Sequence, residues 1–238
     1  MPRSPLRAPL LALSLFSLSL LGLSPALALT PPPPPSVPDQ VSNAAWEEDM
    51  ARFAKDDAAH PVKPGGVLFV GSSSIRFWTS LATDFPGVQT LNRGFGGSEI
   101  RDSTWYADRI VVPYKPRLIV FYAGDNDLNS GRSPQQVRDD FVAFATRVHR
   151  DLPKTRIVYL SIKPSPSRAA LMPKMAEANA LIRKAAAGLK QVQFVDVYTP
   201  MLGADGQPRA ELFGPDKLHM NAAGYALWRD TLRPYLKD

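Results

Sequence analysis

The sequence predicts a three-layer α/β/α sandwich of the flavodoxin-like kind, a five-stranded parallel sheet with helices on both faces. Three observations carry this expectation. Five short apolar runs, at 67–70, 88–91, 118–122, 157–162 and 194–197, are each bounded by turn residues, as strands buried on both faces are. The longer stretches between them repeat their apolar residues at helical spacing. Glycine-rich and polar motifs follow the ends of the runs, where such sheets place their sites.

Taken in order, the chain begins with Arg3 and Arg7, an apolar run from Leu10 to Leu23, and the small residues of Ala26-Leu27-Ala28. These are the three parts of a secretory signal. Cleavage is expected after Ala28, giving an exported protein, periplasmic or secreted. The run is shorter than the roughly 20 apolar residues that cross a bilayer and Pro25 breaks it, so no stable membrane insertion is expected after cleavage. Pro31 to Pro35 and Pro38 make residues 29–40 an extended spacer. A single domain, 41–238, follows.

Within that domain Trp46, Met50 and Phe53 lie on one helical face behind an acidic first turn, Glu47 and Glu48. The best-marked helix begins at Ser133, with Pro134 in the first helical position and Gln136 three residues past the cap. Its core stripe is Val137, Phe141, Phe144 and Val148. Further helices are expected over 101–110, 174–189 and 221–235.

Composition narrows the function. The 28 Lys and Arg against 22 Asp and Glu give a formal net charge of +6, but the basic residues are scattered and not interleaved with aromatics. The electrostatic footprint of a nucleic-acid binder is missing. The sequence contains no cysteine, which excludes disulfides, thiol catalysis and lipid attachment through a cysteine.

Four motifs carry chemistry. The first run leads into Gly71-Ser72-Ser73-Ser74, a turn that presents hydroxyls where a helix begins and free N–H groups favour negative charge. No Gly-Lys-Ser/Thr follows, so the phosphate loop fails, and Ile75 stands where the α/β-hydrolase elbow needs glycine. The second run ends at Asn92-Arg93-Gly94-Phe95-Gly96-Gly97, whose glycines allow close backbone approach to a ligand. The third ends at Gly124-Asp125-Asn126-Asp127, where a side-chain amide can donate to the same place. A calcium loop from Asp125, Asp127 and Asn129 fails because Ser130 and Gln136 occupy the positions that need glycine and glutamate. Last, Asp216 precedes His219 by three residues, a spacing that lets the acid reach the ring and fix its tautomer. No cluster of histidines and carboxylates marks a metal site; neither metal nor cofactor is expected.

In this order the four motifs resemble the sequence blocks of the SGNH, or GDSL, hydrolase family over essentially the whole domain. The resemblance implies the SGNH hydrolase fold and an esterase, with Ser73 as nucleophile and His219 and Asp216 completing a triad. It also implies Gly97 and Asn126 as oxyanion donors beside the Ser73 N–H, Gly97 being the glycine five residues past the block's Asn92. Ser72 stands where the family's usual first block has aspartate. The pattern is similar to bacterial esterases of the platelet-activating-factor acetylhydrolase-like kind, which implies a small acyl group such as acetyl, on a small-molecule, glycan or lipid ester. A thioesterase or lysophospholipase is the nearest rival. A glycan-binding module on a decayed hydrolase scaffold is a second, although both the nucleophile and the histidine are present. For the substrate, Trp78 is a candidate pocket wall and Lys163 and Arg168 are candidate partners of an anionic group.

Overall fold

The structure is a computed structural model that describes residues 1–2 and 41–237; the expected signal and the proline spacer lie almost wholly outside the described residues. Five strands form one parallel sheet: β1 (Val67–Gly71), β2 (Thr90–Gly94), β3 (Leu118–Tyr122), β4 (Arg156–Leu160) and β5 (Val192–Val195). Their spatial order is β2-β1-β3-β4-β5, the doubly wound order expected. All four pairings are parallel. The reversal of direction after β2 opens a crevice beyond the carboxyl ends of β1 and β3, where ligands bind in this topology.

Side-chain alternation builds a core on each face. Leu68 and Val70 of β1, Ile119 and Phe121 of β3, and Ile157 and Tyr159 of β4 face one cluster. It is covered by α1 (Trp46–Ala59), α4 (Ile100–Trp105), α5 (Ala107–Ile110), α7 (Pro134–Asp151) and α8 (Met172–Ala187). The alternate residues Val67, Phe69, Leu118, Val120, Val158 and Leu160 face the other cluster. The short helices α2 (Ser73–Arg76) and α3 (Leu81–Asp84) and the final helix α9 (Ala222–Leu232) cover that side. Helix α6 (Asp125–Asn129) follows β3 at the crevice.

The expected stripes are core: Trp46, Met50 and Phe53 are buried, as are Val137, Phe141, Phe144 and Val148. Ser133 caps α7 in the expected capping box, its hydroxyl accepting from Gln136 N–H at 3.2 Å while Gln136 Oε1 accepts from Ser133 N–H at 2.9 Å.

Some boundaries differ for physical reasons. Strand β2 runs on through Asn92 and Arg93 to Gly94, because Arg93 is neutralised where it is buried: it pairs with Asp57 and donates to the Tyr114 hydroxyl at 2.8 Å. The apolar run alone started this strand two residues early and ended it three residues early. The helix expected over 101–110 is two short ones, broken where Tyr106 turns edge-on to Phe95. The last helix stops at Leu232 because Pro234 lacks the N–H that would continue it. Among the described residues no helix is long and apolar enough to cross a membrane.

Candidate active site

Ser73 opens α2 directly after β1. The turn is tight: Gly71 has φ of 136°, and a Cβ there would lie 1.8 Å from the Tyr122 carbonyl oxygen of the neighbouring strand. Only glycine lets β1 and β3 approach this closely before the chain turns. Asn92 braces the turn from β2, donating to the Ile75 carbonyl at 2.6 Å while its Oδ1 accepts from Gly94 N–H at 2.9 Å. The three neighbouring serines are thereby separated. Ser72 and Ser74 are buried, and Ser73 alone among them meets a histidine.

That histidine is His219, whose Nε2 lies 2.9 Å from Ser73 Oγ. Its Nδ1 lies 2.5 Å from Asp216 Oδ2. An ionised carboxylate only accepts, so Nδ1 carries the proton and Nε2 is free to accept from the Ser73 hydroxyl. The other oxygen of Asp216 accepts the Leu218 and His219 backbone N–H groups, each at 2.9 Å. The Leu218 N–H first, and then the His219 ring, hold the Asp216 carboxyl far below the usual carboxylate range. Lys217, at φ of 55°, makes the left-handed turn that brings acid and ring together.

The second and third motifs meet beside Ser73. A Cβ on Gly96 would stand 3.8 Å from Ser73 Cβ, which places this loop against the serine. Gly97, at φ of 87°, comes next, and a Cβ there would press on the Trp46 ring at 3.2 Å. Asn126 Nδ2 donates to the carbonyl of the adjacent Ser98 at 3.0 Å. Asp127 fixes the same loop by accepting Ile100 N–H at 3.0 Å; burial pushes its carboxyl well above the usual range. The structure therefore assembles Ser73, His219 and Asp216 in one line and sets the Gly97 and Asn126 segments together.

The three candidate substrate residues are placed otherwise. Trp78 borders a surface cleft that Arg76, Asn92 and Gly94 also line, but its ring belongs to the core. It is 1% exposed, packs among Phe69, Phe85, Tyr225 and Trp228, and donates its indole N–H to Asp84 at 2.7 Å. Trp78→Ala is expected to cost about 3–5 kcal/mol of stability and to leave KM for small esters unchanged in the folded fraction, as denaturant titration and steady-state kinetics will show. Lys163 is likewise turned inward, 1% exposed, with Nζ 3.4 Å from Asp125 Oδ2; burial lowers its pKa. Arg168 shares that oxygen at 3.2 Å and donates to Asn126 Oδ1 at 3.0 Å. Neither cation is a free loop charge awaiting an anion, because the buried Asp125 carboxylate attracts both.

One site residue escaped sequence reasoning. Phe77 is 46% exposed and meets the His219 ring edge-on, with centroids 4.9 Å apart. Its place four residues after Ser73, one helical turn on, was the available signal. A cleft of about 570 Å³ lined by Lys115, Arg117, Lys154 and Arg156 lies at the amino ends of β3 and β4, the opposite end of the sheet from Ser73.

The model of the GDSL-like Lipase/Acylhydrolase family matches residues 65–227 of the chain, a span that holds every motif above. No curated protein matches the chain in sequence. Among solved structures the fold is similar to that of a candidate platelet activating factor from Streptococcus pneumonia, at 24% identity and a TM-score of 0.73 over 81% of this chain and 92% of that one. A GDSL-like lipase from Bacteroides thetaiotaomicron is similar at 21% identity and a TM-score of 0.68, over 79% and 96% of the two chains. A carbohydrate esterase family 3 protein from Talaromyces cellulolyticus follows at 16% identity and a TM-score of 0.56, over 74% and 96%.

Proposed function

Because the chain belongs to the GDSL-like Lipase/Acylhydrolase family and is a serine ester hydrolase, we propose that it removes short acyl groups, acetyl above all, through Ser73, His219 and Asp216. The observation that carries the triad in this reading is the unbroken line from Asp216 Oδ2 through the His219 ring to Ser73 Oγ, with steps of 2.5 and 2.9 Å. Ser73 Oγ attacks the acyl carbonyl carbon as His219 Nε2 takes its proton. The imidazolium so formed faces the ionised Asp216. When the C–O bond to the alcohol breaks, His219 returns the proton to the departing oxygen; water then repeats the cycle on the acyl-enzyme.

The negative oxygen of each tetrahedral intermediate is received by the Ser73 and Gly97 N–H groups and by Asn126 Nδ2. Ser73 heads a helix, whose first N–H groups have no partner within it. Asn126→Ala is expected to lower kcat roughly 10²- to 10³-fold with a smaller change in KM, the cost of one oxyanion donor. A change confined to KM, measured in steady state, would remove Asn126 from this role.

Export as a periplasmic or secreted protein, proposed from residues 1–28, and the carbohydrate esterase among the similar folds support an ester on carbohydrate or cell-envelope material as the substrate. The exposed Phe77 ring offers the substrate an apolar surface beside His219. Initial rates on p-nitrophenyl esters of increasing chain length and on acetylated glycans test the proposal. A maximum at acetyl supports it, and a preference for long acyl chains or thioesters overturns the substrate assignment.

A further inference from the structure

We infer that Arg168 is a positioning residue for the hydrolysis, holding the Asn126 carboxamide so that an N–H faces the substrate oxygen; this rests on Asn126 acting as the donor proposed above. Arg168 Nη2 donates to Asn126 Oδ1, and Asn126 Nδ2 donates to the Ser98 carbonyl, both at 3.0 Å. A guanidinium can only donate and a carbonyl can only accept. Turning the amide over would set donor against donor at Arg168 and acceptor against acceptor at Ser98. It would also turn a carbonyl oxygen toward the developing oxyanion. With both partners in place one N–H of the Nδ2 group is spent on Ser98, and the second is left for the substrate.

The guanidinium is itself held. Its side chain is 13% exposed, and Nη1 lies 3.2 Å from Asp125 Oδ2, one residue before Asn126. Lys163 Nζ approaches the same oxygen at 3.4 Å. Two cations on one carboxylate leave a net positive charge beside the carboxamide. That charge draws electron density toward Oδ1 and makes the N–H groups stronger donors, as cooperative hydrogen-bond chains do in a low dielectric. Backbone bonds link the segment to the rest of the site. Arg168 N–H donates to the Ser165 carbonyl, and Ser167 N–H to the Lys217 carbonyl between Asp216 and His219, both at 3.1 Å. The segment between β4 and α8 thus spans the space between the amide and the histidine loop.

A kinetic double-mutant cycle on p-nitrophenyl acetate, a neutral ester, tests the inference with the full chain, Arg168→Met, Asn126→Ala and the double variant. Arg168→Met is expected to lower kcat about tenfold with KM near that of the parent, short of the roughly 10²- to 10³-fold cost of losing the donor. In the Asn126→Ala background the Arg168 change is expected to have no further effect on kcat, because residues acting as one unit are non-additive. A merely structural role predicts equal losses in both backgrounds. Equal losses, an unchanged kcat in Arg168→Met, or a loss confined to KM would each overturn the inference while leaving Asn126 as donor. An undiminished kcat in Asn126→Ala would instead overturn the donor role, and the inference with it. If Arg168→Met does not fold, Arg168→Lys keeps a cation opposite Asp125 and enters the same cycle with the same expectation, since an ammonium lacks the fixed planar fork.

Discussion

Ser73→Ala is expected to lower ester hydrolysis on the order of 10⁶-fold, to abolish labelling by a fluorophosphonate, and to leave the melting temperature within a degree or two of the parent. The hydroxyl oxygen is the atom that forms the new bond, so nothing downstream survives its loss. The fold is indifferent because the turn is set by Gly71 against the Tyr122 carbonyl and by Asn92 from β2, not by the Ser73 side chain. The rival nucleophiles are disposed of by the same experiment. Ser74 is 1% exposed, and its carbonyl is tied by the Tyr225 hydroxyl at 3.0 Å; Ser72 is equally buried. Full activity in Ser73→Ala, with loss in Ser74→Ala, would show that the nucleophile had been placed one residue early.

The second large effect belongs to His219. His219→Ala is expected to match the Ser73 loss, because the nucleophile then keeps its proton at the moment of attack. Asp216→Asn is expected to cost less than His219→Ala. In serine protease triads the corresponding change costs about 10⁴-fold because the ring takes the wrong tautomer. An asparagine here keeps an oxygen for the Leu218 and His219 N–H groups, both at 2.9 Å, so the turn survives while the partner of Nδ1 is altered. Adding Asp216→Asn to His219→Ala is expected to cost nothing more. Activity in Asp216→Asn equal to the parent would reduce the site to a Ser73 and His219 dyad. Its hydrogen bonds hold Asp216 ionised far into acid, so the carboxylate keeps its charge on mild acidification.

The parts of the site legible in the sequence obey local rules. Ser133, Pro134 and Gln136 announce a helix start by chemistry confined to four residues, and Asp216 and His219 find each other across one turn. The sheet order follows from runs and crossovers of helical length. What was not legible depends on partners distant in sequence. Trp78 follows the serine turn as a pocket residue would, but its surroundings are set by Tyr225 and Trp228 of the last helix. Lys163 and Arg168 read as candidate partners of an anionic substrate group because nothing near them in sequence reveals Asp125, the buried carboxylate that draws both inward. The polar end of β2 was hidden similarly, since Arg93 is tolerated there through partners such as Asp57 and Tyr114, distant in sequence.

The two ends of the Ser73 to His219 hydrogen bond sit on ground of unequal firmness. Ser73 follows a strand whose five residues are all buried. His219 belongs to a surface turn with an exposed acid, closed by bonds from Gly214 N–H to the His219 carbonyl at 2.8 Å and from Lys217 N–H to the Gly214 carbonyl at 2.9 Å. Segments of that kind open at a fraction of the global unfolding free energy. On warming, activity is therefore expected to fall before the far-ultraviolet dichroism of the sheet and to return on cooling, the mark of a local opening that parts the base from the nucleophile.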